Sequence, residues 1–193
     1  MGKMTLLTGG ARSGKSTLAE KIAAETGGEI LFIATAQALD KEMERRIQLH
    51  QESRPEDWKS LEIGENLASV LAKKKLSADL IIIDCITMLV SNVILKHSGS
   101  LDEPDEEAAE DALDQEISSL ISYIQKSNST FILVSNDVGM GLVPPYPVGR
   151  LYRDLMGRVN RQLALVADEV YWINAGFVLP LHELGTHLDQ DHS

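Results

Sequence analysis

The sequence predicts an α/β fold in which helices cover both faces of a mainly parallel β-sheet. Short runs that are apolar on both faces of a strand alternate with segments of helical periodicity along most of the 193 residues. Such strands suit a covered parallel sheet better than a sheet with one face in water, and their alternation with helices favours crossover connections. No linker or internal repeat interrupts the pattern, so residues 1–193 are expected to form a single nucleotide-binding domain.

The first strand, residues 4–8, leads into a glycine-rich motif at the start of a helix predicted over residues 16–26. The motif comprises Gly9, Gly10, Ala11, Arg12, Ser13, Gly14, Lys15 and Ser16. It has the P-loop pattern, in which backbone N–H groups surround phosphate oxygens, Lys15 reaches the β- and γ-phosphates and Ser16 ligates Mg²⁺. A plain tight turn would leave the Gly-Lys-Ser sequence unexplained. The motif therefore predicts ATP or GTP as substrate and a P-loop NTPase-like, RecA-like sheet.

Apolar runs and turn residues place the next elements. They predict strands over residues 29–36 and 79–84, and helices over residues 40–51 and 65–75. The later strand ends on Asp84, which has the position of the Walker-B carboxylate that holds Mg²⁺ directly or through water. The alternative is that Asp84 only caps the helix beginning near Ile86. We take metal binding as the expectation.

The second half of the chain continues the alternation of helices and strands. Helices are predicted over residues 86–96 and from residue 106 onward, then a strand over residues 130–135, an arginine-rich helix and a strand over residues 168–173. The acidic residues between Glu106 and Glu116 are interpreted as a solvated helix face. The Gly- and Pro-rich stretch 136–147 is expected to form a long loop at the ligand-binding edge of the sheet, with a plain connection as the alternative.

Composition narrows the possible partners and location. The chain has 29 acidic and 18 basic residues, giving a formal charge of −11, whereas a protein that binds the phosphate backbone normally has a basic face. Nucleic acid is therefore not expected as a partner. No apolar stretch approaches the length of a membrane span, and Cys85 is the single cysteine, so a cytoplasmic protein without disulfides is expected.

Several segments taken together resemble one family, the bifunctional adenosylcobinamide kinase / adenosylcobinamide-phosphate guanylyltransferases of cobalamin biosynthesis (the CobU/CobP family). The resemblance spans nearly the whole chain. Its segments are residues 8–16, Phe32-Ile33-Ala34-Thr35, residues 40–58 with Arg46-Ile47, His50, Arg54-Pro55 and Trp58, Asp84-Cys85-Ile86-Thr87, residues 136–141, Arg153-Asp154, residues 157–160 and residues 167–170.

The resemblance implies two reactions. The γ-phosphate of ATP or GTP passes to the aminopropanol hydroxyl of adenosylcobinamide, and GTP then donates GMP through an enzyme histidine to adenosylcobinamide phosphate, which gives adenosylcobinamide-GDP and pyrophosphate. By spacing alone His50 is an ordinary surface histidine; the resemblance makes it the nucleophile. It further implies a homotrimer and the following nucleotide contacts: Ala34, Thr35, Ala36, Gln51, Glu52, Ser53, Arg54 and Glu62.

Two other functions remain open at this stage. One is a P-loop kinase of small molecules that has only one of the activities, and the other is a nucleotide-dependent switch or ATPase subunit. Residues 177–193 are expected to be a C-terminal extension. Its histidines, His182, His187 and His192, are interpreted as part of a solvated tail rather than a metal site.

Overall fold

The computed structural model describes residues 2–36, 45, 55, 57–76 and 78–188. The strands are β1 (Met4–Gly9), β2 (Ile30–Ala34), β3 (Lys59–Glu62), β4 (Leu80–Asp84), β5 (Thr130–Val134), β6 (Glu169–Asn174) and β7 (Phe177–Pro180). The helices are α1 (Lys15–Thr26), α2 (Leu67–Lys74), α3 (Ile86–His97), α4 (Glu106–Lys126), α5 (Pro147–Val166) and α6 (Leu181–Leu184).

Within the described residues, the strands form one sheet in the order β3-β2-β4-β5-β1-β6-β7. All neighbouring strands are parallel except β6 and β7, which are antiparallel. The predicted α/β class with a mainly parallel sheet is therefore confirmed. Strand β5 separates β1, which leads into the P-loop, from β4, which ends on Asp84.

Both faces of the sheet are buried, and the side chains of successive residues in each central strand lie on opposite faces. In β4, Ile81 and Ile83 belong to the core cluster that also contains apolar residues of α2, α3, α4 and α5. Leu80 and Ile82 belong to the other cluster, which contains Ala19 and Ala23 of α1. This two-sided burial explains why the strands appear in the sequence as continuous apolar runs.

The predicted acidic face of α4 is wrong at one position. Glu116 is buried, and its carboxylate accepts hydrogen bonds from the backbone N–H groups of Asn66 at 2.7 Å and Leu67 at 2.9 Å. It thus caps the N-terminus of α2, where unpaired N–H groups and the helix dipole favour a negative charge. The local pattern of α4 does not reveal this role because the partner lies on a helix about 50 residues earlier.

The two outer strands were not predicted. Strand β3 is mostly exposed and polar, so it lacks the apolar run by which the other strands are recognised. Strand β7 pairs with β6, with Asn174 opposite Phe177, and α6 follows it. Residues 177–184 of the expected solvated tail therefore form ordered elements next to β6, although most of them are exposed. His182 lies there with Nδ1 3.2 Å from the carbonyl oxygen of Asp168.

No helix within the described residues combines the length and the apolarity that a bilayer crossing requires.

Candidate active site

Four parallel strands end side by side at the edge of the sheet where the P-loop begins. Ala34 is paired with Asp84, Asp84 with Val134, and Val134 with Leu7, which lies two residues before Gly9. Because the strands are parallel, their carboxyl ends meet at one edge, where open α/β sheets bind ligands. The register thus brings the P-loop and Asp84 to the same site from positions about 70 residues apart in the sequence.

A cavity of about 320 Å³ lies at this edge. Its lining residues are Arg12, Ser13, Gly14, Lys15, Ser16, Thr17, Asp84, Cys85, Val134 and Asn136. The predicted P-loop residues from Arg12 to Ser16 and the predicted metal ligand Asp84 therefore share one cavity. No site role is predicted from the sequence for Thr17, Cys85 or Val134. Asn136 begins the stretch 136–147, which is expected at the ligand-binding edge of the sheet, and it does line the cavity.

A larger cavity, of about 490 Å³, lies between α2, α3 and α4. It contains none of the predicted site residues, and its buried carboxylate, Glu116, already caps α2. We therefore place the chemistry in the smaller cavity, where a cation, a hydroxyl and a carboxylate converge.

Lys15 is buried inside the phosphate loop. Its Nζ donates hydrogen bonds to the carbonyl oxygen of Gly10 at 2.6 Å and to Oγ of Ser13 at 3.4 Å. Burial lowers the pKa of the Lys15 ammonium, and the nearby Cys85 and Asp84 oppose that shift. The negative charge of a bound triphosphate would stabilise the ammonium, which has lost its hydrating water on burial. Lys15 is therefore held where its charge favours phosphate binding.

The glycines of the P-loop have different roles. Gly9 has a φ of 140°, and a Cβ at this position would lie only 2.1 Å from the carbonyl oxygen of Ile173 in β6. Gly14 has a φ of 107°, but a Cβ there would meet nothing within 4 Å. Gly10 has neither a positive φ nor a close neighbour. The first glycine is thus required by sheet packing and Gly14 by backbone conformation.

Asp84 is the last residue of β4, and the following residue, Cys85, is the N-cap residue of α3. Asp84 thus lies one residue before the N-cap position, and its role as a metal ligand stays a prediction. Burial raises the pKa of the Cys85 thiol to about 11, with the Asp84 carboxylate acting in the same direction. Cys85 is therefore a neutral thiol at neutral pH and is not a reactive thiolate.

Thr35 supports Asp84 from the neighbouring strand. It is fully buried, and its hydroxyl donates to the carbonyl oxygen of Cys85 at 2.6 Å while accepting from the Cys85 N–H at 2.9 Å. Nδ2 of Asn92 donates to the Thr35 carbonyl oxygen at 2.9 Å. With its hydroxyl committed in this way, Thr35 fixes the backbone beside Asp84, which is a positioning role.

The other residues expected after β2 and β3 lie along the same edge but do not line the cavity. Ala34 is buried and paired with both Asp84 and Glu62. Ala36 is half-buried, and Glu62 is exposed. Since neighbouring strands are about 4.8 Å apart, Glu62 lies roughly 10 Å along the sheet from Asp84. The predicted residues His50, Gln51, Glu52, Ser53 and Arg54 lie outside the described residues.

A partly buried network of polar side chains holds the chain that leaves β5. Oγ of Ser135 donates to Oδ1 of Asn160 at 2.6 Å, and Nδ2 of Asn160 donates to the carbonyl oxygen of Asn136 at 3.1 Å. The Asn136 N–H in turn donates to Oγ1 of Thr87 at 2.8 Å. This network connects α5 and α3 to Asn136, which lines the cavity. Asn160, in the segment 157–160, thus holds the backbone of Asn136 in place.

Comparison with known proteins identifies the family of this chain. Residues 5–181 match the family model described as cobinamide kinase / cobinamide phosphate guanyltransferase. The bifunctional adenosylcobalamin biosynthesis protein CobU of Escherichia coli K12 is 41% identical over 90% of this chain and 96% of its own length. CobU of Salmonella typhimurium is 42% identical over 90% of this chain and 96% of its own length. CobP of Pseudomonas aeruginosa, also named as bifunctional, is 38% identical over 91% of this chain and 95% of its own length. The chain therefore belongs to the cobinamide kinase / cobinamide phosphate guanyltransferase family.

Proposed function

We propose that this chain catalyses two successive transfers to one corrinoid. In the first, the γ-phosphate of ATP or GTP passes to the aminopropanol hydroxyl of adenosylcobinamide. In the second, GMP passes from GTP to adenosylcobinamide phosphate, with release of pyrophosphate. The observation that carries the proposal is the cavity in which Lys15, Ser16 and Asp84 converge, in a chain of this family.

The kinase step depends mainly on position and charge, because phosphoryl transfer requires little covalent chemistry from the protein. The N–H groups of the P-loop surround the phosphates, and the Lys15 ammonium neutralises charge as the γ-phosphate leaves. The oxygen of the substrate hydroxyl attacks the γ-phosphorus and forms the new P–O bond. The bond from the γ-phosphorus to the β,γ-bridging oxygen breaks with release of ADP or GDP, and the hydroxyl proton passes to solvent water.

The same cavity offers the oxygen ligands that Mg²⁺ prefers. The Ser16 hydroxyl and the Asp84 carboxylate both line it, and Mg²⁺ in nucleotide sites is commonly held by one or two such groups together with phosphate oxygens and water. Bound there, Mg²⁺ would neutralise charge on the phosphates. Thr35 would serve this site indirectly, because it fixes the backbone at Cys85, next to Asp84.

We assign the guanylyl step to His50. Its imidazole nitrogen attacks the α-phosphorus of GTP, a P–N bond forms, and the P–O bond to pyrophosphate breaks. A phosphate oxygen of the corrinoid then attacks the same phosphorus and displaces the imidazole, which is regenerated. A histidine suits this task because its unperturbed pKa of about 6.5 leaves much of it neutral near pH 7.

The guanine nucleotide would be held along the sheet edge next to the phosphate cavity. We assign contacts there to Ala34, Ala36, Glu62 and the segment 51–54. Glu62 is exposed at the carboxyl end of β3, and a carboxylate can accept hydrogen bonds from the guanine N1–H and N2–H₂ or from a ribose hydroxyl. We further infer, from the family resemblance, that the enzyme is a cytoplasmic homotrimer; light scattering would measure its mass.

The test separates the two activities. The purified chain and its His50→Ala variant are incubated with α-³²P-GTP and analysed on denaturing gels. Wild type should carry a label that is stable to base and released by acid, whereas His50→Ala should carry none and should form no adenosylcobinamide-GDP. The variant should still phosphorylate adenosylcobinamide within roughly tenfold of wild type, a barrier change of about 1.4 kcal/mol.

The matched control is His97→Ala, because His97 is an exposed histidine at the end of α3, outside the cavity. It should label like wild type. Acid-labile labelling of His50→Ala would overturn the assignment of the nucleophile, and a wild-type chain that neither labels nor phosphorylates the corrinoid would overturn the proposed function.

A further inference from the structure

The loop between β5 and α5, residues 136–146, begins in the nucleotide cavity. Its first residue, Asn136, lines the cavity beside Asp84. The N–H of the next residue, Asp137, donates to the carbonyl oxygen of Gly9 at 3.0 Å and so joins the loop to the P-loop. Any ligand that reaches the γ-phosphate position therefore passes close to this loop.

The far end of the loop is also held in place. Nη1 of Arg150 in α5 donates to the carbonyl oxygens of Pro144 at 3.3 Å and Pro145 at 2.9 Å. Together with the Thr87 and Asn160 hydrogen bonds at Asn136, these contacts fix both ends. The loop thus presents its side chains from a defined backbone.

Those side chains are large, apolar and exposed. Within residues 140–146, Met140 is 77% exposed, Leu142 96%, Val143 63% and Tyr146 66%. Single exposed apolar residues are common on protein surfaces, whereas four large ones within seven residues of one loop expose apolar area together, which is typical of a binding site. Leu101 extends the group, since it is 56% exposed and its carbonyl oxygen accepts from the N–H of Val148.

We infer that this apolar loop, Met140, Leu142, Val143 and Tyr146, is the surface on which the corrin macrocycle of the substrate packs. The inference rests on the proposed function and identifies the corrinoid-binding part of that site. For in-line transfer, the substrate hydroxyl must lie next to the γ-phosphate, so the attached macrocycle must lie at the mouth of the cavity. Met140 is four residues from Asn136, hence at most about 14 Å from it.

The chemistry of the nucleotide and of the corrinoid favours binding the nucleotide in the cavity and the macrocycle on the apolar loop. Phosphates and ribose need polar groups, which the P-loop and the sheet edge supply, and they gain little from leucine or methionine. A macrocycle has broad apolar faces that release water when they pack on apolar side chains. Methionine, leucine and tyrosine also adapt well to a large irregular ligand.

The test measures binding directly. Cobinamide is added to wild type, to the single variant Leu142→Ser and to the triple variant Met140→Ser/Leu142→Ser/Val143→Ser, and the bound fraction is read by equilibrium dialysis from its visible absorbance. The triple variant should raise the Kd for cobinamide at least tenfold and Leu142→Ser at least threefold. The Kd for a fluorescent GTP analogue should change less than twofold in both.

The control variant is Leu184→Ser/Leu188→Ser. These leucines are 64% and 80% exposed, similar to the loop residues. They follow β7, which runs antiparallel to β6 and so ends at the edge of the sheet opposite the cavity. This variant should bind cobinamide like wild type. Circular dichroism checks that all variants are folded. Leu142→Ser should fold like wild type because the Leu142 side chain is almost fully exposed to water.

The outcomes are distinguishable. Cobinamide binding by the triple variant within twofold of wild type would overturn the inference. A triple variant that forms a smaller assembly by light scattering and also loses GTP binding would overturn it too, because the loop would then be an interface between copies of the chain. A wild-type chain that binds GTP but not cobinamide would refute the proposed function itself.

Discussion

The first P-loop glycine offers a test that separates packing from phosphate binding. In Gly9→Ala, the new Cβ would lie 2.1 Å from the carbonyl oxygen of Ile173, whereas real Cβ contacts below 3.0 Å essentially do not occur. Strand β6 would have to move by nearly an ångström at a position where it is paired with Gly9. The φ of 140° is also unfavourable for alanine.

The expected magnitude follows from these two effects. Backbone strain of this kind costs about 1–3 kcal/mol, and overpacking about 1–3 kcal/mol more. We therefore expect Gly9→Ala to lower the free energy of unfolding by about 4 kcal/mol. For a chain of 193 residues this corresponds to a fall in Tm of about 8–16 °C.

Two neighbouring glycines serve as controls. Gly14→Ala suffers only the positive φ, so we expect a loss of about 1–2 kcal/mol, and Gly10→Ala has neither strain nor a close neighbour, so we expect a change below about 1 kcal/mol. Thermal unfolding is followed by circular dichroism without nucleotide, at one protein concentration. If Gly9→Ala were no less stable than Gly10→Ala, the packing argument would be refuted.

Three further substitutions test the site and its supports. Lys15→Met should stabilise the nucleotide-free protein by about 1 kcal/mol because it removes a buried charge, and it should abolish the stabilisation by GTP. Because burial lowers the pKa of Lys15, the wild type should gain stability relative to the variant as pH rises from the folded-state pKa toward the unfolded value. A difference in Tm between the two proteins that stays constant across that pH range would contradict this. Asp84→Asn should raise the Mg²⁺ midpoint of the kinase reaction about tenfold with a smaller change in nucleotide affinity, and an unchanged midpoint would rule out the metal role. Glu116→Gln should cost about 1 kcal/mol through the weakened cap of α2, whereas the exposed Glu103→Gln should stay within about 0.5 kcal/mol in the same urea titration; equal stabilities would refute the cap.

Features whose signals are local can be predicted from the amino-acid sequence. The P-loop is a contiguous motif, because surrounding a phosphate with backbone N–H groups requires a short stretch of fixed composition. The central strands are recognisable because a parallel sheet buried on both faces demands unbroken apolar runs. Asp84 is recognisable for the same reason, since it ends such a run.

Features that depend on partners distant in the sequence become visible only in the folded chain. Strand order placed β5 between β1 and β4. Pairing with β2 made a strand of the polar segment 59–62, and pairing with β6 made one of the four-residue segment 177–180, which ends on a proline. Glu116 and Thr35 are ordinary in their own segments; only burial against α2 and Cys85 makes one a cap and the other a support.

Gly9 illustrates the division within a single residue. The motif requires glycine there, and the sequence attributes that requirement to phosphate binding. The structure adds a second cause, the backbone of β6 about 160 residues later, which leaves no space for a Cβ. A motif of consecutive residues can therefore be recognised in the sequence. Packing between segments far apart in the chain can be seen only when the fold brings them together.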